Sequence, residues 1–185
     1  ENDIIPVVPK QGSVGASGDL APLSHLFLPL IGLGKVNIKG KIVPAKTVLD
    51  QFDLRPIQLG AKEGLALING TQFMAAHGVK AVAELNRVLQ NADIIAALMI
   101  EGLNGSIKPF LTELHQLRPH AGNRFVASGI FNMLHGSAIL ESHKDCSRVQ
   151  DPYSLRCIPQ VHGASRNAWF HLKETIEVKI NSVPD

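Results

Sequence analysis

The sequence predicts a mainly α protein, a helical bundle carrying one short β-hairpin. Three observations predict it. Apolar residues recur at helical spacing over several long stretches after residue 45. No alternation of strand and helix marks a parallel sheet. Only the run around Lys39-Gly40 reads as two paired strands.

Taken in order, Ile4 to Pro9 contains two prolines and makes a poor central strand. Asp19 is placed to cap a helix that opens with Leu20-Ala21-Pro22 and stops near Pro29 or Gly32. Lys35–Ile38 and Lys41–Val43 form the hairpin, which is marginal alone and must lie on something larger. Thr47–Phe52 is a short helix ending before Arg55-Pro56. Gly60–Ile68 leads into a helix over Thr71–Asn91, marked by Met74, Val79, Val82, Leu85, Val88 and Leu89. Ala92–Ile100 is nearly all apolar and is expected to be buried on most sides. Asn123–Leu140 is expected as one long helix, and Pro159 to about Lys179 as the last. No repeat period is evident.

Composition narrows the function. With 185 residues, one sizeable core and one domain are expected. Eighteen basic and sixteen acidic residues leave a charge of +2, with no polybasic run and 5% aromatics, so no nucleic acid partner is expected. No apolar stretch is long enough to cross a bilayer, so no membrane partner is expected either. Cys146 and Cys157 do not make a disulfide framework, and a reducing cytoplasm is the simplest location. Long apolar helices that 185 residues cannot all cover favour self-association.

The most informative segment is Gly12-Ser13-Val14-Gly15-Ala16-Ser17-Gly18-Asp19. Three glycines surround Ala16 and Ser17. The pattern is neither of the phosphate-binding loops, and Asp19 would set a negative charge where a phosphate belongs. A nucleophile elbow needs different glycine spacing. Without a Cβ, Gly18 can fold its nitrogen back toward the carbonyl carbon of Ala16. A five-membered ring closed across Ala16-Ser17-Gly18, with loss of water and of the Ser17 hydroxyl, would carry an exocyclic methylidene. That group is an electrophile, a function that unmodified side chains rarely supply. An uncyclised turn is the plain alternative.

The run Gly12–Leu23 closely resembles the signature of the aromatic amino acid ammonia-lyases, which build 4-methylideneimidazole-5-one from Ala-Ser-Gly. Further similar motifs follow in family order: Glu63–Gln72, Arg118-Pro119-His120, and Val149-Gln150-Asp151-Pro152-Tyr153-Ser154-Leu155-Arg156-Cys157. Together they cover almost the whole chain. The tail Ile158–Gly163 is more similar to family members acting on histidine than to those acting on phenylalanine.

The resemblance implies a segment, residues 1–185, of the catalytic domain of a larger all-α lyase fold. It implies elimination of ammonia from L-histidine to give urocanate. A phenylalanine or tyrosine lyase, an aminomutase, or a non-catalytic helical oligomerisation fragment are the alternatives. It also implies a homotetramer whose active sites draw on more than one subunit.

Residue roles follow from the same resemblance. Ala16, Ser17 and Gly18 supply the electrophile. Asp19 assists ring formation, caps its helix, or does both. Asn69 contacts the prosthetic group and the substrate. Tyr153 lies beside the amine, and Gln150 touches the substrate or is structural. Arg156 clamps the carboxylate, which a guanidinium grips with two prongs. Tyr153 and Arg156, three apart, would share one face of a helical turn.

His143, Cys146, Cys157 and His162 lack the spacing of a metal site, and no metal is expected. The chain is expected to be an internal fragment. The family's catalytic-base tyrosine and ring-recognition residues would lie beyond its ends, so an isolated 185-residue piece is expected to be inactive.

Overall fold

The computed structural model describes residues 2–12 and 18–183. Helix dominates, as the apolar spacing predicts. The chain divides into two compact units: residues 1–78 with 178–185, and residues 79–177.

The first unit is built on a three-stranded antiparallel sheet. Strand β1 (Ile4–Pro6) pairs with β2 (Lys35–Ile38), and β2 pairs with β3 (Lys41–Pro44). Ile4 lies opposite Ile38, and Val36 opposite Val43. The β2–β3 turn puts Lys39 and Gly40 both at positive φ, the conformation whose twist suits a two-residue hairpin. The third strand was not expected. Pro6 lacks an N–H, but β1 is an edge strand, where one missing donor is tolerated.

Helix α1 (Leu20–Phe27) runs into a 3-10 turn over Leu28–Ile31 that stops at Gly32, φ 79°. Asp19 stands at its N-cap position, and its carbonyl accepts the Leu23 N–H at 3.0 Å. The Asp19 carboxylate makes no capping hydrogen bond. Helix α2 (Ala45–Gln51) follows β3, and α3 (Glu63–Ile68) packs on α1. Val36, Ala45 and Val48 form the core of this unit, flanked by Ile4, Ile38, Val43 and Phe52.

Helix α4 (Gln72–Gly102) is continuous over 31 residues, with its first turns in the first unit and the remainder in the second. The second unit continues with α5 (Thr112–Gln116), α6 (Ala121–Leu134), α7 (Ala138–Ser142) and α8 (Tyr153–Arg156). Helix α9 (Ile158–Ile180) ends the series. The core joins Ala96, Ala97 and Ile100 of α4 to Phe110, to Val126, Ile130 and Leu134 of α6, and to Leu155 and Ile158.

Two expectations are corrected here. Ala92–Ile100 is not buried on most sides: Asp93, Ala96, Ala97 and Ile100 point inward, while Ile94, Ile95, Leu98 and Met99 are exposed. A helix turns about 100° per residue, so a contiguous apolar run faces every direction. Asn123–Leu140 is not one helix. It breaks after Leu134, where His135 is extended and Gly136 adopts φ 79°, and Ser137 then caps α7 by accepting the Leu140 N–H. Extended His135 and left-handed Gly136 interrupt the helix, and a serine N-cap restarts it.

Helices α6 and α9 meet at two glycines. A Cβ on Gly122 would overlap the Gly163 carbonyl oxygen, and one on Gly163 would lie 2.6 Å from the Asn123 nitrogen. No helix among the described residues is long and apolar enough to cross a membrane.

Candidate active site

Gly18 has φ +92°, a left-handed conformation that a side chain would strain. Space is tight for a side chain as well. A Cβ there would lie 3.0 Å from the Gly70 carbonyl oxygen, 3.2 Å from the Gly70 nitrogen and 3.6 Å from Asn69 Oδ1. Two backbones therefore touch, with a side-chain amide beside the contact. Asn69 reaches this position because α3 ends on it. Its N–H donates to Leu65 O at 2.9 Å, and its own ψ of 85° leaves the helix. Next along the chain, Thr71 Oγ1 is buried without a hydrogen-bond partner among the described residues. An orphaned buried hydroxyl is uncommon in a folded protein.

Ala16 and Ser17 lie outside the described residues. The surroundings of Gly18 nonetheless fit a ring closed on its nitrogen. The backbone approach leaves little room for a Cβ, and the Asn69 amide stands beside it.

In the second unit, Gln150, Tyr153 and Arg156 line one cleft of about 590 Å³, together with Leu103, Arg148 and Asp151. Helix α8 is a single turn held down by Leu155, which is buried in the core. Tyr153 is consequently 71% exposed, and the Arg156 guanidinium carbon sits 5.5 Å from its ring centroid. Arg156 Nε–H donates to the Asp151 carbonyl at 2.9 Å. Its two terminal nitrogens make no hydrogen bond among the described residues. Gln150 precedes the helix in irregular backbone and reaches the cleft from there.

Arg156 also borders a larger open cleft of about 700 Å³, lined by Lys108, His115, Arg118 and His120. No carboxylate is among its described lining residues. The Arg118-Pro119-His120 motif thus stands where positive charge gathers, favouring an anionic ligand. Three histidines are engaged in the fold. His115 is buried with Nε2 2.9 Å from Pro109 O. His143 sets its ring nitrogens against the carbonyls of Ile139 and Gly105, and His162 meets Asp93.

Sequence reasoning missed two lining residues, Arg148 and Asp151. Their side chains pair at 3.3 Å. Asp151 stands inside the motif Val149–Cys157 and Arg148 just before it, in a stretch that is not helical, and nothing local marks the pair.

Comparison with known proteins gives the family of this chain. Residues 1–185 match the family model for aromatic amino acid lyases, and the chain belongs to that family. It is 50% identical to a histidine ammonia-lyase of Myxococcus xanthus over 183 residues, 99% of this chain and 36% of that protein. The chain thus spans about 36% of the length of the curated relatives it matches. Among solved structures, histidine ammonia-lyase from Trypanosoma cruzi superposes with a TM-score of 0.72 at 39% identity, covering 91% of this chain and 30% of that one. Ergothionase from Treponema denticola superposes with a TM-score of 0.90 at 28% identity, covering 100% and 37% respectively.

Proposed function

We propose that the protein is a histidine ammonia-lyase, converting L-histidine to urocanate and ammonia. What carries this reading is the 50% identity to histidine ammonia-lyases along nearly the whole chain. The geometry at Gly18 and the cleft at Arg156 agree with it. In this reading the chain is a segment of a larger catalytic domain.

Ala16, Ser17 and Gly18 are the source of a 4-methylideneimidazole-5-one group. That group supplies an electrophile able to make the amine a better leaving group. Asp19 assists its formation. The Asn69 amide, beside Gly18, offers a fixed dipole near the reacting atoms. Arg156 takes the substrate carboxylate on its terminal nitrogens. That places the Cα and Cβ of the amino acid at a fixed distance from the clamp, an advantage of orientation over free encounter. Tyr153, stacked beside the guanidinium, stands next to the amine, and Gln150 closes the same cleft. The basic residues around Arg156 draw the carboxylate in.

The exposed apolar residues of α4, among them Ile95, Leu98 and Met99, support association into a homotetramer with active sites shared between subunits. The location in this reading is the cytoplasm, with no metal required.

The test has two arms on the full-length protein. Intact mass should fall short of the encoded mass by two water molecules. Urocanate absorbance should grow with L-histidine and not with L-phenylalanine or L-tyrosine. An unshifted mass, or turnover confined to another amino acid, would overturn the reading.

A further inference from the structure

Asp151 is 6% exposed, although it carries a carboxylate and lies in irregular backbone. Its burial is matched by its bonds. Oδ2 accepts the Ser106 N–H at 2.6 Å, and Oδ1 accepts Arg148 Nη1 at 3.3 Å. Arg148 also reaches the Leu103 and Asn104 carbonyls at 3.4 and 3.3 Å. The segment before α8 is thereby tied to the backbone that follows α4, across more than forty residues of chain.

The same residue uses its main chain on Arg156. The Asp151 carbonyl accepts the Arg156 Nε–H at 2.9 Å. A guanidinium is planar, so a hydrogen bond at Nε restrains the plane and the direction in which the two terminal nitrogens point. Those terminal nitrogens are the pair that can take both oxygens of a carboxylate. Tyr153 lies against the guanidinium and limits its remaining swing. One residue thus links a buried anchor to the aim of the half-buried cation.

We propose that Asp151 is the positioning residue of the carboxylate clamp: its side chain anchors to Ser106, and its carbonyl orients Arg156. The inference rests on the proposal that Arg156 binds the substrate carboxylate. Asp151 itself touches no reacting atom. Removing its side chain frees the carbonyl to drift, and the Arg156 fork loses its direction while keeping its charge.

The experiment uses the full-length protein and two competitive inhibitors, imidazole-4-propionate, which has a carboxylate, and histamine, which has none. Asp151→Ala should weaken imidazole-4-propionate by about tenfold and histamine by less than about twofold, a lost two-pronged ionic contact weighed against an unaffected ring. Asp151→Asn keeps an oxygen for Ser106 and should fall between wild type and Asp151→Ala. Arg156→Ala should abolish the preference for the carboxylate ligand, and Asp151→Ala added to it should cost nothing further. Should Asp151→Ala not fold, Asp151→Asn carries the same cycle at its smaller amplitude.

Equal weakening of both inhibitors by the folded Asp151 variants would overturn the inference and leave the clamp standing. So would losses in the double variant that multiply independently. If Arg156→Ala leaves the carboxylate preference intact, or if neither inhibitor binds the wild type, the underlying reading fails and the inference falls with it.

Discussion

Arg166, 2% exposed, donates from Nη2 to Asp93 Oδ2 at 2.6 Å inside the second unit. Asp93 Oδ1 meets His162 Nδ1 at 2.8 Å, and the guanidinium carbon lies 4.8 Å from the Phe125 ring centroid. Two helices, α4 and α9, are joined by this pair.

Cutting the pair on one side leaves a cation without a counter-charge in the interior. Asp93→Ala is therefore expected to destabilise the protein by about 3–5 kcal/mol, the range for breaking a buried pair. Denaturant unfolding followed by Trp169 fluorescence measures this, since its indole N–H donates to the Val82 carbonyl within the same unit. A loss below about 1 kcal/mol, the exposed-pair range, would contradict it.

Ser17→Ala removes the hydroxyl that ring formation must expel. The variant should fold, show no loss of the methylidene-forming water in its intact mass, and have turnover reduced to near background. Circular dichroism, mass and urocanate absorbance read the three properties separately. Retained turnover would remove Ser17 from the proposed role.

Gly18→Ala tests the backbone contact with Gly70. The added methyl would sit 3.0 Å from a carbonyl oxygen at φ +92°, so the loop must move away from Asn69. The strain expected is of order 1–3 kcal/mol, and mass spectrometry should find the unmodified chain. Normal maturation would show that the contact is not needed.

Gly163→Ala addresses the crossing of α6 and α9. Its Cβ would lie 2.6 Å from the Asn123 nitrogen, which is backbone and cannot turn aside. Overpacking of this kind costs about 1–3 kcal/mol. A lowered unfolding midpoint with an unchanged denaturant slope is the expected result, whereas an unchanged midpoint would mean the helices can part freely.

Arg156→Lys keeps the charge and loses the fork. KM for histidine should rise by about tenfold or more while the fold is unaffected, because an ammonium cannot grip both carboxylate oxygens from a fixed plane. Steady-state kinetics on the full-length protein decide it, and an unchanged KM would dismiss the clamp.

Much of the architecture was legible because it is written locally. Lys39-Gly40 announces the β2–β3 turn, Gly32 ends the first helical segment, and Asn69 closes α3, all through backbone preferences of single residues. The three-residue step from Tyr153 to Arg156 likewise implied one helical turn, and α8 is that turn. What escaped was written across distance. β1 exists only because Ile4 finds Ile38, thirty-four positions away. The α6–α7 break at Gly136 looked like one more residue in an apolar run. Asp151 took no role from the sequence because its partner Ser106 lies forty-five residues back.

By itself the sequence determined the helical class and marked Ala16-Ser17-Gly18 and Arg156 as the candidates for the proposed ring and clamp. Those properties belong to a residue and its near neighbours, where steric and hydrogen-bonding preferences act over a few bonds. Only the tertiary structure decided which faces of α4 are covered, how closely Gly18 approaches Gly70, and which way Arg156 is aimed. Each depends on packing between segments remote in the chain, and no local preference encodes it.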